Sequence, residues 1–491
     1  MSKGVTPQKE DYSKWYTDVI KKAELADYGP VKGTMVIRPY GYQIWEKLKK
    51  YLDDSFKDSG HTNAYFPLFI QKSFFTKESK HVEGFAKECA IVTHSRLKHN
   101  DDKTDLVPDE NSKLEEEVIV RPTSETVIWS MYRKWVNSYR DLPILINQWA
   151  NVVRWEMRTR LFLRTSEFLW QEGHTAHASE EEAQKESLKI LDIYKSTVEN
   201  ILAIPVICGT KTDSEKFAGA VNTYTIEMMM GDKKALQAGT SHYLGQNFAK
   251  AFDVKFQDVD NKEKYVFATS WGVTTRLIGA LIMVHGDDKG LRLPPEIAPI
   301  QVVLVPIFKS DDDLKEITDN VKSLMEDLEK HNVSYFFDDR KKMSPGFKFN
   351  EWEMKGVPIR LEVGLRDIKE KQLTCVRRDT SEKMFIKIHG SFNIVNKMLT
   401  DIQNNMLQQA SNFLNSNIHN VNSYDDFKNI INNGGFVRCG WDGNEATEKE
   451  IKKETNATIR CIPFDQKPSQ DLLCIYSNEK AKFEVVFAKA Y

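Results

Sequence analysis

Residues 151–174 read NVVRWEMRTRLFLRTSEFLWQEGH, and this stretch decides the fold. Its apolar residues are Val152, Val153 and Trp155 at one end, Phe168, Leu169 and Trp170 at the other, and Phe162 between them. Short runs rich in β-branched and aromatic residues read as two strands buried in a sheet. A basic loop joins them. Arg154, Arg158, Arg160 and Arg164 stand among the carboxylates Glu156, Glu167 and Glu172. Arginines beside buried strands are costly unless they face an anionic partner. A planar guanidinium matches phosphate or carboxylate with two parallel hydrogen bonds. The segment is therefore expected to be an antiparallel hairpin that holds a phosphorylated ligand.

The rest of the chain sets the frame. At 491 residues it exceeds what one core can organise, and about three domains are expected. Charge is balanced, 69 Lys+Arg against 71 Asp+Glu, so any nucleic-acid surface has to be local. No apolar run approaches the ~18 residues that span a bilayer, so no membrane partner is expected. The N-terminal MSKGVTPQKEDYSKW lacks the apolar core of a signal peptide. The six cysteines, Cys89, Cys208, Cys375, Cys439, Cys461 and Cys474, are far apart. That usage fits reduced thiols and a cytoplasmic protein.

Periodicity outlines the elements. Pro39 to Ser59 places Ile44, Leu48, Tyr51, Leu52 and Phe56 at helical spacing, with Pro39 in the first turn. NAYFPLF (63–69) reads as a strand, and Pro67 confines it to an edge, a bulge or a subunit contact. Residues 98–117 are polar and read as an exposed excursion. Ser179 with Glu182 three residues on is a capping box opening a helix to Leu202. LRLPPEIAP (291–299) marks a domain boundary. Beyond it, strands at 301–307, 333–339 and 358–364 alternate with helices at 310–331 and 344–355, which predicts a small α/β domain with a mixed or parallel sheet. From 396 the chain reads as helical and Asn-rich, then as short strands.

Four segments build one site: RPTSE (121–125), VVRWE…FLWQEGH (152–174), QAGTSHYLGQ (237–246) and TSWGVTTR (269–276). Together they resemble the class II aminoacyl-tRNA synthetases, and specifically a prolyl-tRNA synthetase of the archaeal/eukaryotic-like type. NAYFPLF resembles motif 1 of that class, with Pro67 at the dimer interface. VVRWE with RTSEFLWQEGH resembles motif 2, and SWGVTTRLIGALIMVHGD resembles motif 3. The resemblance covers essentially the whole chain. It implies an α/β (α+β) fold with an antiparallel-sheet catalytic domain (1–295), a small α/β anticodon-binding domain (296–395) and a small α+β C-terminal domain (396–491). It implies a homodimer whose partners are L-proline, ATP with Mg²⁺, and tRNA(Pro).

The resemblance also implies roles. Attack of a prolyl carboxylate on the α-phosphorus of ATP gathers negative charge, so cationic clamps dominate catalysis. Arg154 takes the α-phosphate and the amino-acid carboxylate. Arg276 takes the γ-phosphate of a bent ATP. Glu156 orients Arg154 or meets the adenine amino group. Thr165 and Phe168 border the adenine, Gln237 and Thr240 touch ribose or phosphates, and Thr274 neighbours Arg276. For proline, Trp170 and Trp271 offer flat apolar surface. Thr123, Glu125 and Glu172 accept hydrogen bonds from its ammonium, and His174, His242 and Ser270 close the pocket. Arg158 and Arg160 are left unassigned, with a loop toward the tRNA acceptor end as one place for them.

A threonyl enzyme would need zinc ligands in the pocket, and these segments contain no cysteine with metal spacing. About 95 residues separate Glu172 from Ser270, too few for an inserted editing domain. In the second domain Arg340, Lys348, Glu351 and Trp352 are candidates for reading unstacked anticodon bases, and Leu365 stands where the family has proline. The third domain of this family often carries a four-cysteine zinc site. Here Cys439, Cys461 and Cys474 have no close cysteine partners, and Gly434 and Tyr476 stand near where further ligands belong, so no structural zinc is expected. The family pattern also has the C-terminal residue, here Tyr491, docking by its carboxylate near the catalytic domain.

Overall fold

In the computed structural model, which describes residues 4–76, 89–467 and 471–491, the strand Ile144–Val153 pairs antiparallel with Glu167–His177. The chain leaves the sheet at Arg154, where charged residues replace apolar ones, and Trp155 is left 51% exposed beyond the strand end. Phe162 is instead buried, with φ at +62°.

This hairpin lies near one edge of an eleven-stranded sheet. The order runs through 418–420, 436–441, 483–488, 458–463, 207–210, 222–229, 235–245, 267–274, 167–177, 144–153 and 62–63. Strand alternation divides the central strands between two environments. Gln171, Gly173 and Thr175 alternate with Trp170, Glu172 and His174. One face is covered by the helix Glu180–Asn200, whose capping box (Ser179, Glu182) forms as expected, and by Pro39–Asp58 packed on it. Leu48, Leu52, Phe56, Leu191, Tyr194 and Trp271 fill that core. Tyr51 turns outward from the second helix. The helix Glu125–Trp135 packs with Asn247–Phe252 over a second core containing Trp129, Tyr132 and Phe248.

Some expectations are corrected. The 63–69 strand is split into Thr62–Asn63 and Phe69–Gln71, with Pro67 in the irregular backbone between them, because proline has no N–H to give a ladder. The 98–117 excursion is not a bare loop: it holds a small ribbon, Leu97–His99 with Leu106–Pro108, and part of the strand Lys113–Val120.

The second domain has the strand order 335–337, 302–307, 359–364, 372–377, 383–387. The first three strands are parallel and the last two antiparallel, a mixed sheet. Its strand 335–337 is shorter than the expected 333–339. Leu365 is the first residue of the short helix Leu365–Lys369. That is the position where proline is favoured but not required, so the departure from the family pattern leaves the turn intact.

The C-terminal strands do not form a separate sheet. Gly209 pairs with Pro463 and Thr210 with Ile462, so the sheet continues from the catalytic region into the last hundred residues. The α/β (α+β) class expected from the sequence is the class found.

Candidate active site

Three adjacent strands set the site in rows. His174 lies opposite Ser270, and Ser270 opposite His242. One step along, Glu172 lies opposite Gly272 and Gly272 opposite Thr240, and Trp170 faces Thr274. The period of two thus turns residues far apart in sequence into one surface. It lines a cavity of about 390 Å³, and Thr123, Glu125, Arg154, Glu156, Thr165, Phe168, Gln237 and Arg276 border the same cavity.

At one end three guanidinium groups converge. Arg154 donates from Nε to the Pro122 carbonyl at 3.0 Å and lies over the rings of Phe168 and Trp170, 5.5 and 5.6 Å from their centroids. Arg276 opens the helix Arg276–His285. Its Nε donates to the Leu163 carbonyl at 3.3 Å, and its backbone N–H to Thr274 Oγ1 at 3.0 Å. Burial, then the charges of Arg164 and Arg154, pull its pKa down to about 10. Burial likewise lowers that of Arg154, against the opposing pull of Glu125 and Glu172. Mutual repulsion of this kind is relieved by an anion. Glu156 forms an ion pair with Arg164, at 3.7 Å. The Thr165 hydroxyl donates to the Glu167 carbonyl, so it is spent on the turn.

The other end is a buried polar network. Glu172 is 1% exposed, and both its oxygens are engaged: Oε1 with Ser124 Oγ and with Gln148 Nε2 (2.7 Å), Oε2 with His174 Nε2 (3.0 Å). Glu172 therefore orients His174, a role beside the expected one of accepting from a ligand ammonium. Glu125, hydrogen-bonded by Thr123, is a second carboxylate for that task. His174 Nδ1, Ser270 Oγ and Trp170 Nε1 are buried without protein partners, as polar atoms reserved for a ligand would be. Burial lowers the pKa of His174, but Glu172 and Glu125 overcome it and raise it above its usual value. Burial and the neighbouring His174 push His242 down to about 3, so that imidazole is neutral. Its Nδ1 and Nε2 lie 3.0 and 3.1 Å from Thr223 and Thr240 hydroxyls.

Trp271 borders the cavity, but its ring packs on the helix face against Phe56 and His61. It fits there because residue 173 is glycine; a Cβ at that position would lie 2.1 Å from the Trp271 ring.

Residues 106–285 match the tRNA synthetase class II core domain (G, H, P, S and T), 301–398 an anticodon binding domain, and 424–491 the C-terminal domain of prolyl-tRNA synthetase. The proline–tRNA ligase of Phocaeicola vulgatus is 56% identical over 491 residues, covering all of this chain and 99% of its own. That of Flavobacterium johnsoniae is 56% identical over 493 residues, the whole of both chains, and that of Bacteroides fragilis 54% over 495, covering 100% and 99%. This chain belongs to the proline–tRNA ligases.

In this member of the proline–tRNA ligases the cavity has walls that the sequence motifs do not mark. Glu215 and Phe217, from the loop after the strand Ile207–Thr210, line it, and Phe217 stacks on His242 with centroids 4.6 Å apart. The charged and aromatic KTDSEKF (211–217) was the available signal. Arg160 points inward, its guanidinium 4.7 and 5.2 Å from the rings of Tyr16 and Tyr491, rather than toward an acceptor end; Arg158 is exposed. Tyr491 docks on the catalytic region through its backbone N–H to Ala235 and its hydroxyl to Asp232 at 2.5 Å.

The four anticodon candidates form an internal cluster around Asp338, which the sequence reading passed over. Arg340 is bidentate to its carboxylate at 2.7 Å, Trp352 Nε1 donates to it at 2.9 Å, and Lys348 donates to its carbonyl. Glu351 pairs with Arg340 at 2.8 Å. Lys348 and Trp352 are buried, so they hold the domain together rather than face RNA.

Proposed function

We propose that this chain activates L-proline with ATP, giving prolyl-adenylate and pyrophosphate, and transfers proline to the 3′ end of tRNA(Pro). The observation that carries the reading is the juxtaposition in one cavity of a three-arginine end and a buried end with unpartnered polar atoms. Arg154 holds the α-phosphate where charge develops, and Arg276 and Arg164 hold the outer phosphates. ATP enters as its magnesium complex, with Mg²⁺ carried on phosphate oxygens and water. Phe168 borders the adenine. Glu125 with Thr123 receives the secondary ammonium of proline, Trp170 flanks its ring, and the unpartnered atoms of His174 and Ser270 complete the pocket. The proline carboxylate oxygen bonds to the α-phosphorus as pyrophosphate leaves. The tRNA ribose hydroxyl then attacks the carbonyl carbon and AMP leaves.

Proline-dependent ATP–pyrophosphate exchange tests this directly. Exchange with proline and not with threonine or glycine is expected; exchange driven better by either of those would overturn the reading.

Several finer features belong to the same proposal. The domains are 1–295, 296–395 and 396–491. The chain acts as a cytoplasmic homodimer, supported by the exposed Tyr65, Pro67 and Phe69 of the motif 1 segment, an apolar patch suited to a second copy. It is of the archaeal/eukaryotic-like type without an editing insertion, supported by the short interval from Glu172 to Ser270. A pocket sized for proline rejects alanine or cysteine by only ~1–3 kcal/mol per missing methylene, so measurable misactivation of both is expected in the same exchange assay. The C-terminal domain is held by packing and without zinc. Cys439 and Cys474 sit in one apolar core with Phe427 and Phe487, and burial raises the Cys439 thiol pKa, which disfavours the thiolate that zinc requires.

A further inference from the structure

The loop that places Glu215 and Phe217 on the cavity is held from outside the catalytic region. Thr212 Oγ1 and Ser214 Oγ donate to the two oxygens of Glu448, at 3.1 and 2.7 Å. Glu448 lies in the helix Glu445–Thr455 of the C-terminal domain and is 4% exposed. One turn on, Lys452 reaches Glu215 at 3.3 Å. At the root of the loop, Lys211 donates to Glu227 at 2.7 Å and to the Arg460 carbonyl at 2.7 Å. Arg460 in turn donates to the other Glu227 oxygen at 3.0 Å. Lys211, Glu227 and Arg460 are all buried, so this is an internal cluster of two cations on one carboxylate, joining the root of the loop to two strands, rather than a surface contact.

The geometry connects these contacts to the proline end. Phe217 stacks on His242, its backbone N–H donates to Thr223 Oγ1 at 3.0 Å, and that hydroxyl also meets His242 Nδ1. Glu227 lies opposite Gln237, next to the bulge that presents Ala238 and Gly239 to the cavity. The loop, between the strands Ile207–Thr210 and Asn222–Met229, is tied by these polar contacts at its start and by Phe217 and Ala220 against an apolar core at its end.

We propose that the C-terminal domain is a positioning element for amino-acid recognition: Glu448, with Lys452 and Arg460, holds the 211–217 loop so that Phe217 and Glu215 wall the proline pocket. None of the three touches the cavity, so they act through the loop. The proposal rests on the assignment of that end of the cavity to proline. An enzyme whose loop is released spends only part of its time in the competent arrangement, and its apparent affinity falls by that fraction.

The test is steady-state exchange kinetics of the full-length protein with three variants. Glu448→Ala removes both hydroxyl acceptors. It is expected to raise the KM for proline about tenfold, the size of losing hydrogen bonds to a charged group, with the KM for ATP little changed. Glu448→Gln keeps an oxygen acceptor and an amide that can bond the second hydroxyl, and should restore the KM to within about twofold of wild type. Lys452→Ala, at an exposed position that leaves folding intact, should raise it about twofold. Equal rises in both KM values, or no change in any variant, would overturn the proposal. If the unaltered protein shows no proline-dependent exchange, it is the assignment of the pocket that fails instead.

Discussion

The two ends of the cavity are built on opposite principles. At the arginine end the charges of Arg164 and Arg154 bear on Arg276, and burial lowers the pKa of Arg276 and Arg154 alike, a concentration of positive charge that an anion would relieve. At the far end Glu172, Ser124, Gln148 and His174 are already joined in a buried network, and selection depends on a shape set in advance. The difference teaches where binding strength and choice reside. On the proposed assignment, charge supplies strength to the substrate shared across the class, and preorganised polar atoms supply discrimination between amino acids.

Removing a charge from the first end should do the most damage. Arg154→Ala is expected to cut exchange by about 100-fold or more, the scale of losing one preorganised transition-state donor, with a circular dichroism spectrum like that of wild type. Activity within a few-fold of wild type would erase the distinction between the ends. Arg276→Ala should raise the KM for ATP by roughly 10–100-fold while the KM for proline stays near its starting value; a matched rise in both would mean the ends are coupled.

The second end should answer to pH. His174 has a raised pKa, so its ion pair with Glu172 is present below the usual value of 6.5 and is lost as pH rises through the shifted value. His242, pushed down to about 3, opposes protonation in the folded state, so its contribution to stability is lost as pH falls from 6.5 toward 3. Proline affinity, followed by the exchange KM, should weaken on the alkaline side. Glu172→Gln should raise the KM about tenfold and move that break to lower pH. An unmoved break would detach Glu172 from His174. Gly173→Ala acts on the fold rather than on binding: a methyl forced against the buried Trp271 ring should cost ~1–3 kcal/mol of stability or more, read as a lowered denaturation midpoint.

The same contrast explains what could be read from the sequence. Arg154 was legible because guanidinium chemistry beside apolar strands has few uses, whereas Arg276 and the set Trp170, Glu172 and His174 were singled out by the resemblance to the family motifs. Trp271 stayed ambiguous because one residue of register separates cavity from core. Glu172 was assigned to ligand because its partners Ser124 and Gln148 lie 48 and 24 residues away, beyond any local pattern. Glu215 and Phe217 were missed for the same reason, since the carboxylate that holds their loop is 236 residues from Thr212. In the second domain, Arg340 and Trp352 looked like RNA readers until the structure showed Asp338 behind them.

The shared sheet has a consequence during synthesis. The strand Ile207–Thr210 finds one partner in the next hairpin arm, but its other partner, near Arg460, leaves the ribosome 249 residues after Lys211. At ordinary elongation rates that is a wait of roughly 10–50 s. Through that interval the strand is an open edge, able to pair with any other nascent chain. Lys211 stands next to it, and a lysine at an edge is an obstacle to such pairing. The same ammonium pairs with Glu227 sixteen residues on and, once the last strands arrive, also with the Arg460 carbonyl.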